Sequence, residues 1–218
     1  DLPVRAETLK QFGKKFANCG FNYRAFYPCY GMAETTLLAT GGEKNQQPLI
    51  HGVKAKDLEQ NSVVQSEIYS PESLKLVGVG HSYLDTTVII VNPESLTPSE
   101  PGQVGEIWVS GGSVTSGYWN CPQATQETFQ AYLKDTGEGP FLRTGDLGFF
   151  SNGELFVTGR LKDLIIIRGR NYYPQDIELT VENSHPALRS HCSAAFSQEI
   201  EGQERLVVAC EEIGRAHV

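Results

Sequence analysis

Two charged residues stand where their types and spacing suit chemistry on a polar ligand: Asp146 and Arg160. Asp146 and Arg160 flank the stretch Leu147–Thr158, which reads as two short apolar runs around Ser151-Asn152-Gly153-Glu154. Asn-Gly is the strongest short hairpin signal, because a type I′ turn needs positive φ at both central residues. The spacing predicts antiparallel strands over 147–150 and 155–158. Asp146 then lies just before the first strand, and Arg160 just after the second. A carboxylate accepts from hydroxyls and a guanidinium donates in a planar fork, so the two ends of such a ribbon suit one polyhydroxylic or anionic ligand. An ordinary strand-end ion pair is the alternative.

Elements must hold these residues in place. Leu9, Phe12 and Phe16 recur at helical spacing, predicting a helix over 5–16 closed by Gly20. Residues 25–29 read as a short buried strand leading into Tyr30-Gly31-Met32-Ala33-Glu34. Residues 43–76 are polar and weakly periodic, and loops of such length are usually functional or disordered. From Val77 the pattern turns to β, with strands over 86–91 and 106–110 before the hairpin, which suggests a small barrel or sandwich. A helix is expected over 121–132 with Phe129 and Leu133 buried. Beyond Arg160 the character changes again. A strand over 164–168, a turn at Gly169-Arg170-Asn171, a helix opened by Pro174 and ending near Asn183, and strands over 192–196 and 206–210 begin a second, smaller α+β unit.

Composition narrows the functions. The 218 residues carry a net charge of −8 and no basic cluster, against nonspecific nucleic-acid binding. Five cysteines are scattered, odd in number and without metal spacing, which favours reduced thiols in a cytoplasmic protein. No apolar run is long enough for a membrane span. His51, His81, His185 and His191 stand in no ligand spacing, and Trp108 and Trp119 read as core or packing residues.

The motifs Tyr30–Glu34, Gly105-Glu106-Ile107-Trp108-Val109, Gly117-Tyr118-Trp119, Thr144-Gly145-Asp146 and Gly159-Arg160-Leu161-Lys162-Asp163 are weak alone. In this order they resemble the adenylate-forming superfamily of acyl-CoA synthetases, luciferases, adenylation domains and fatty acyl-AMP ligases. Within it the chain looks most like a fatty acyl-AMP ligase. Phe26–Glu34, the run from Thr36 to Gly42, and Arg168–Glu178 carry that likeness, together with a long spacer after Glu34.

The resemblance implies a mixed α/β and β fold. Residues 1–160 would be the C-terminal part of the AMP-binding large domain, with a small β-barrel subdomain and a family-type insertion at about 43–76. Residues 161–212 would begin the small mobile C-terminal domain, and 213–218 resemble a non-native tail. It implies ATP and Mg²⁺ as cofactors, a fatty acid as substrate, and an acyl carrier protein with its phosphopantetheine as partner, as in polyketide or lipopeptide assembly. Glu34 would be the catalytic, magnesium-associated glutamate; a helix N-terminal glutamate favoured by the dipole is its bland counterpart. Tyr30 would stack near adenine, with Gly31, Met32 and Ala33 beside the nucleotide. Many relatives carry Thr at the position of Ala33, which has no hydroxyl; Thr35 would substitute. Asp146 and Arg160 would hold the two ribose hydroxyls, and Lys162 would be the hinge. The phosphate loop is expected upstream and the catalytic lysine downstream, so this stretch alone is expected to be inactive. An acyl-CoA synthetase or another carboxylate-adenylating domain is the enzymatic alternative, and a nucleotide-binding module the non-enzymatic one.

Overall fold

The computed structural model describes residues 3–200 and 203–214, and these form two units divided between Thr158 and Gly159. The first unit opens with helix α1, Ala6–Phe16, which turns Leu9 and Gly13 inward. Gly20 follows in the left-handed conformation and ends the turn after it. Residues 25–29 are not the expected strand. Tyr23–Ala25 is a single 3-10 turn capped by the Asn22 side chain, which accepts from Arg24 N, and only Cys29–Tyr30 is extended, as β1. The apolar residues that suggest a strand stack instead as aromatics. Phe26 meets Phe12, Phe21 and Tyr23 edge-on, with ring centroids 4.9–5.7 Å apart.

Strand β2, Thr40–Gly41, pairs with β1 and with β5, His81–Ser82, in a three-stranded sheet. Residues 43–76, expected as an irregular loop, hold ordered structure: β3, Ile50–Lys54; the single helical turn α2, Ala55–Leu58; and β4, Ser73–Val77, antiparallel to β3. The polar sequence hides this because each strand buries few side chains, chiefly Val53, Leu58, Leu76 and Val77.

The largest sheet has the order β6 (Thr87–Val91), β7 (Gly105–Ser110), β8 (Leu142–Ser151) and β9 (Glu154–Arg160). Helix α3, Pro122–Phe129, lies between β7 and β8 in sequence and buries Phe129. The β8–β9 turn has positive φ at both Asn152 (51°) and Gly153 (80°), as the dipeptide predicts.

Backbone hydrogen bonds close these pieces into a small distorted barrel. Val79 N donates to Leu155 O and Leu155 N to Gly80 O, joining the end of β4 to β9. On the other side Lys54 N donates to Val64 O and Ser66 N to Gly52 O, so 64–66 flanks β3. Val63 N to Gly102 O and Val104 N to Asn61 O then tie that run to the start of β7. Phe149 and Phe156 are fully buried and stack at 5.2 Å, with the His51 ring 5.2 Å from Phe156. A second cluster gathers Tyr30, Ala39, Val79, Ile90, Ile107, Val109, Phe129, Leu142 and Leu155.

The second unit begins at Gly159 and contains the end of β9. Strands β10, Ile165–Ile167, and β11, Arg170–Tyr172, form a hairpin. Its turn is Arg168-Gly169, both at positive φ, rather than Gly169–Asn171: Arg170 and Asn171 are paired residues of β11. Helix α4, Pro174–Glu182, starts on its proline. A long ribbon of β12, Leu188–Ile200, and β13, Gln203–Glu212, packs on α4. Ile165, Tyr173 and Ala195 are buried here. Of the expected tail 213–218, residues 215–218 lie outside the described residues.

Candidate active site

Asp146 does not precede the first hairpin strand. It sits within β8, at a bulge. Glu106 pairs with Leu147 and Trp108 with Arg143, so Ile107 alone faces Thr144, Gly145 and Asp146. A bulge of this kind re-aims the side chains it carries. Gly145 takes φ 72°, a conformation that costs other L-residues strain. Thr144 Oγ1 donates to Ile107 O and accepts from Asp146 N, which fills the backbone gap.

A buried carboxylate pins the bulge. Glu106 is 2% exposed. Arg143 meets it through Nε and Nη2, the latter 2.7 Å from Oε2. Trp108 Nε1 donates to the same oxygen at 2.9 Å, and Gly145 N donates to Oε1 at 3.2 Å. The Arg143 guanidinium also lies 5.6 Å over the Trp108 ring. Several charge-assisted donors on one buried carboxylate fix the geometry tightly. From sequence, Glu106 enters only as part of a motif, with no role of its own. The available signal is a carboxylate two residues before a tryptophan on an otherwise apolar strand, which puts both on one face.

The other face of the site comes from residues 30–36. Tyr30, expected to stack near adenine, is buried with its ring in the second core cluster, and its hydroxyl donates to Asp146 Oδ2 at 2.8 Å. Gly31 has its place because a Cβ there would lie 1.8 Å from Leu37 O: the loop folds back on its own backbone. Met32 is extended and packs on the same cluster, while Ala33 is exposed. Thr35, the expected stand-in for a phosphate-binding threonine, is 1% exposed; its hydroxyl donates to Met32 O and accepts from Met32 N. Thr35 therefore braces the loop. Thr36 adopts φ 67°, ψ −54°, and Leu37 N donates to Thr35 O at 2.8 Å. That is a γ-turn of the rare, strained hand.

Glu34 occupies the 3-10 turn Ala33–Thr35, half-buried. Its Oε1 accepts from the Tyr118 hydroxyl at 2.7 Å, and its main-chain carbonyl accepts from Thr115 N at 2.8 Å. Thr36 Oγ1 donates to Ser113 O at 2.8 Å. The loop bearing Glu34 is thus fastened at three points to the 113–118 segment. Thr125, in the first turns of α3, accepts from Tyr118 N, and Phe129 meets the Tyr118 ring edge-on at 5.1 Å. Burial first, then the hydrogen bond to Glu34 and its charge, raise the Tyr118 pKa. Tyr118 is the second residue that enters from sequence without a role. Its neighbour Trp119, expected as packing, stands 96% exposed.

One loop therefore joins Tyr30, bonded to Asp146, to Glu34, bonded to Tyr118, across separations of 116 and 84 residues. A carboxylate and a half-exposed second carboxylate on a braced loop suit a ligand with hydroxyls at one end and cation-neutralised charge at the other. Among the described residues no group of three or more His, Cys, Asp or Glu side chains is arranged to hold a metal ion. A cation at Glu34 would thus share one protein carboxylate with ligand oxygens and water, the habit of Mg²⁺. Arg160 ends β9 and Lys162 lies in the turn Leu161–Asp163, both in the second unit. No helix among the described residues is long and apolar enough to cross a membrane.

The profile of a family described as AMP-binding enzyme matches residues 2–119. A medium-chain-fatty-acid–[acyl-carrier-protein] ligase of Moorena producens is 49% identical over 217 residues, which cover 99% of this chain and 36% of that protein. A long-chain-fatty-acid–AMP ligase of Mycolicibacterium smegmatis is 38% identical over 205 residues, 89% of this chain and 32% of the relative. Among solved structures, a fatty acyl-adenylate ligase from L. pneumophila in complex with acyl adenylate and pyrophosphate superposes with a TM-score of 0.71 at 43% identity. It covers 100% of this chain and 38% of that one. The chain spans roughly a third of the length of the proteins it resembles.

Proposed function

The chain belongs to the AMP-binding enzymes, and from that premise we propose that the protein carrying it adenylates a fatty acid and passes the acyl group to a carrier protein. A carboxylate oxygen of the fatty acid attacks the α-phosphorus of ATP. The α–β phosphoanhydride bond breaks, and pyrophosphate leaves with its electron pair. In the second half-reaction a phosphopantetheine thiolate attacks the acyl carbon, a thioester forms, and AMP departs. The two ligase relatives and the acyl adenylate bound to the solved ligase support this choice within the family.

A carboxylate is a poor nucleophile that the phosphates repel, so positioning and charge neutralisation carry the rate. Asp146 would accept from ribose hydroxyls, held by Tyr30 and the bulge. Arg160 would donate to the ribose, and Lys162 would be the pivot between half-reactions. Glu34 would hold Mg²⁺, which would neutralise phosphate charge. Gly31, Met32 and Ala33 would border the nucleotide, with Thr35 bracing them. The five cysteines are free thiols, in keeping with the cytoplasm.

The observation that carries the reading is the Tyr30–Asp146 hydrogen bond, which binds the two nucleotide motifs into one surface. Product analysis of the whole protein tests it. With ATP, magnesium, a medium-chain fatty acid and a phosphopantetheinylated carrier, the expected product is acyl-carrier protein. Formation of acyl-CoA from free coenzyme A in preference to the carrier would move the assignment to the acyl-CoA synthetases.

A further inference from the structure

The Tyr118 hydroxyl makes a directed contact that the reading above does not use. The Tyr118 hydroxyl donates to Glu34 Oε1 at 2.7 Å, a carboxylate oxygen being able only to accept. The segment carrying Tyr118 is fixed in turn: Thr125 Oγ1 accepts from Tyr118 N, and Thr115 N donates to Glu34 O. Glu34 Oε2 has no hydrogen-bond partner among the described residues. One oxygen of this carboxylate is thus committed to the protein and one is open.

That asymmetry matters for a divalent cation. Mg²⁺ is small, octahedral and bound through single carboxylate oxygens, whereas Ca²⁺ takes more ligands at longer range and readily accepts a carboxylate through both oxygens. We infer that Tyr118 is a positioning residue that makes Glu34 a one-oxygen ligand, and thereby sets the preference of the nucleotide site for magnesium over calcium. The inference rests on Glu34 being the cation's protein ligand. Replacing the tyrosine by phenylalanine would keep a ring against Phe129 but release Oε1, and the carboxylate would then be able to turn and chelate.

The test is calorimetric titration of ATP into the whole protein without fatty acid, once in magnesium and once in calcium, for the wild type, Tyr118→Phe and Glu34→Gln. Tyr118→Phe is expected to lower the magnesium-to-calcium affinity ratio about tenfold or more, the scale of one hydrogen bond to a charged group. Glu34→Gln is expected to weaken ATP binding in both cations. If Glu34→Gln does so while Tyr118→Phe keeps the wild-type ratio, the role of Tyr118 is overturned and that of Glu34 stands. If Glu34→Gln leaves cation-dependent binding intact, the Glu34 assignment fails and takes this one with it. Should Tyr118→Phe not fold, Thr125→Val replaces it: losing the hydroxyl that accepts from Tyr118 N loosens the segment that presents Tyr118, which should move the ratio the same way by less, and an unchanged ratio counts against the inference.

Discussion

Asp146 is built into place by others, and the residues that build it are open to test. Tyr30 contributes one hydrogen bond to its carboxylate from within the core. Tyr30→Phe should cost about 1 kcal/mol of stability, the net worth of such a bond, and raise the KM for ATP several-fold with little change in kcat. Chemical denaturation and steady-state kinetics read the two effects. Glu106 sits a step further back. A glutamine there would neutralise the partner of Arg143 and turn an NH2 group either on the Arg143 and Trp108 donors or on Gly145 N. Glu106→Gln should therefore destabilise by about 3 kcal/mol, as breaking a buried ion pair does, and impair ATP use along with it. A variant of wild-type stability would show that the bulge holds itself. Their motifs single out Asp146 and Glu34 in the sequence as candidates, but the contacts that hold the two in place are not legible there. Tyr30, Glu106 and Tyr118 act across 116, 37 and 84 residues respectively, and no local pattern encodes partners so distant.

Local physics makes several elements readable. Asn152-Gly153 forces the β8–β9 turn, and Pro174 sets the start of α4. Where local signals are weak, tertiary contacts decide the structure. The β10–β11 turn is displaced by one residue because Arg168, a non-glycine, takes φ 53°. The 25–29 segment looks like a strand because aromatic stacking and strand cores draw on the same residue types. The bulge in β8 is invisible to an alternation rule, since it breaks the alternation. The Gly31 loop yields the sharpest prediction at this scale. Gly31→Ala places a methyl carbon 1.8 Å from Leu37 O, so the backbone of the loop must move. Cation-dependent ATP binding should fall at least about tenfold, because Tyr30 and Glu34 flank the displaced turn. Calorimetry on a variant whose melting shows it folded checks this, and unaltered binding would separate the loop's shape from its role.

The first unit contains a barrel whose ring of hydrogen bonds draws in β3, β4 and residues 61–66. Residues 50–77 are structural by position, since Val53, Leu58, Leu76 and Val77 are buried and residues 61–66 link β3 to the start of β7. Excising 50–77 should leave the protein insoluble or molten, seen as loss of near-ultraviolet dichroism. A folded product would show the barrel closes without it. His51, on β3, rests against Phe149 and Phe156, and burial lowers its pKa. Below the folded-state pKa both folded and unfolded chains carry the proton, and the folded chain alone bears the cost of burying that charge. Stability attributable to neutral His51 is thus present above its ordinary value of 6.5 and is lost as pH falls through the lowered one. Melting temperatures of His51→Phe should decline less between pH 7 and pH 5 than those of the wild type.

The proposed function rests on Asp146, held at its bulge, gripping the nucleotide that would become acyl-AMP. The most direct measurement is mass-spectrometric detection of acyl-AMP, with pyrophosphate counted in the same reaction, from the whole protein, ATP, magnesium and a medium-chain fatty acid, alongside Asp146→Ala. Equimolar acyl-AMP and pyrophosphate from the wild type, cut at least about a hundredfold in a folded Asp146→Ala protein, is the predicted result. Acyl-AMP formed equally well without the Asp146 carboxylate, or pyrophosphate release indifferent to fatty acid, would contradict it.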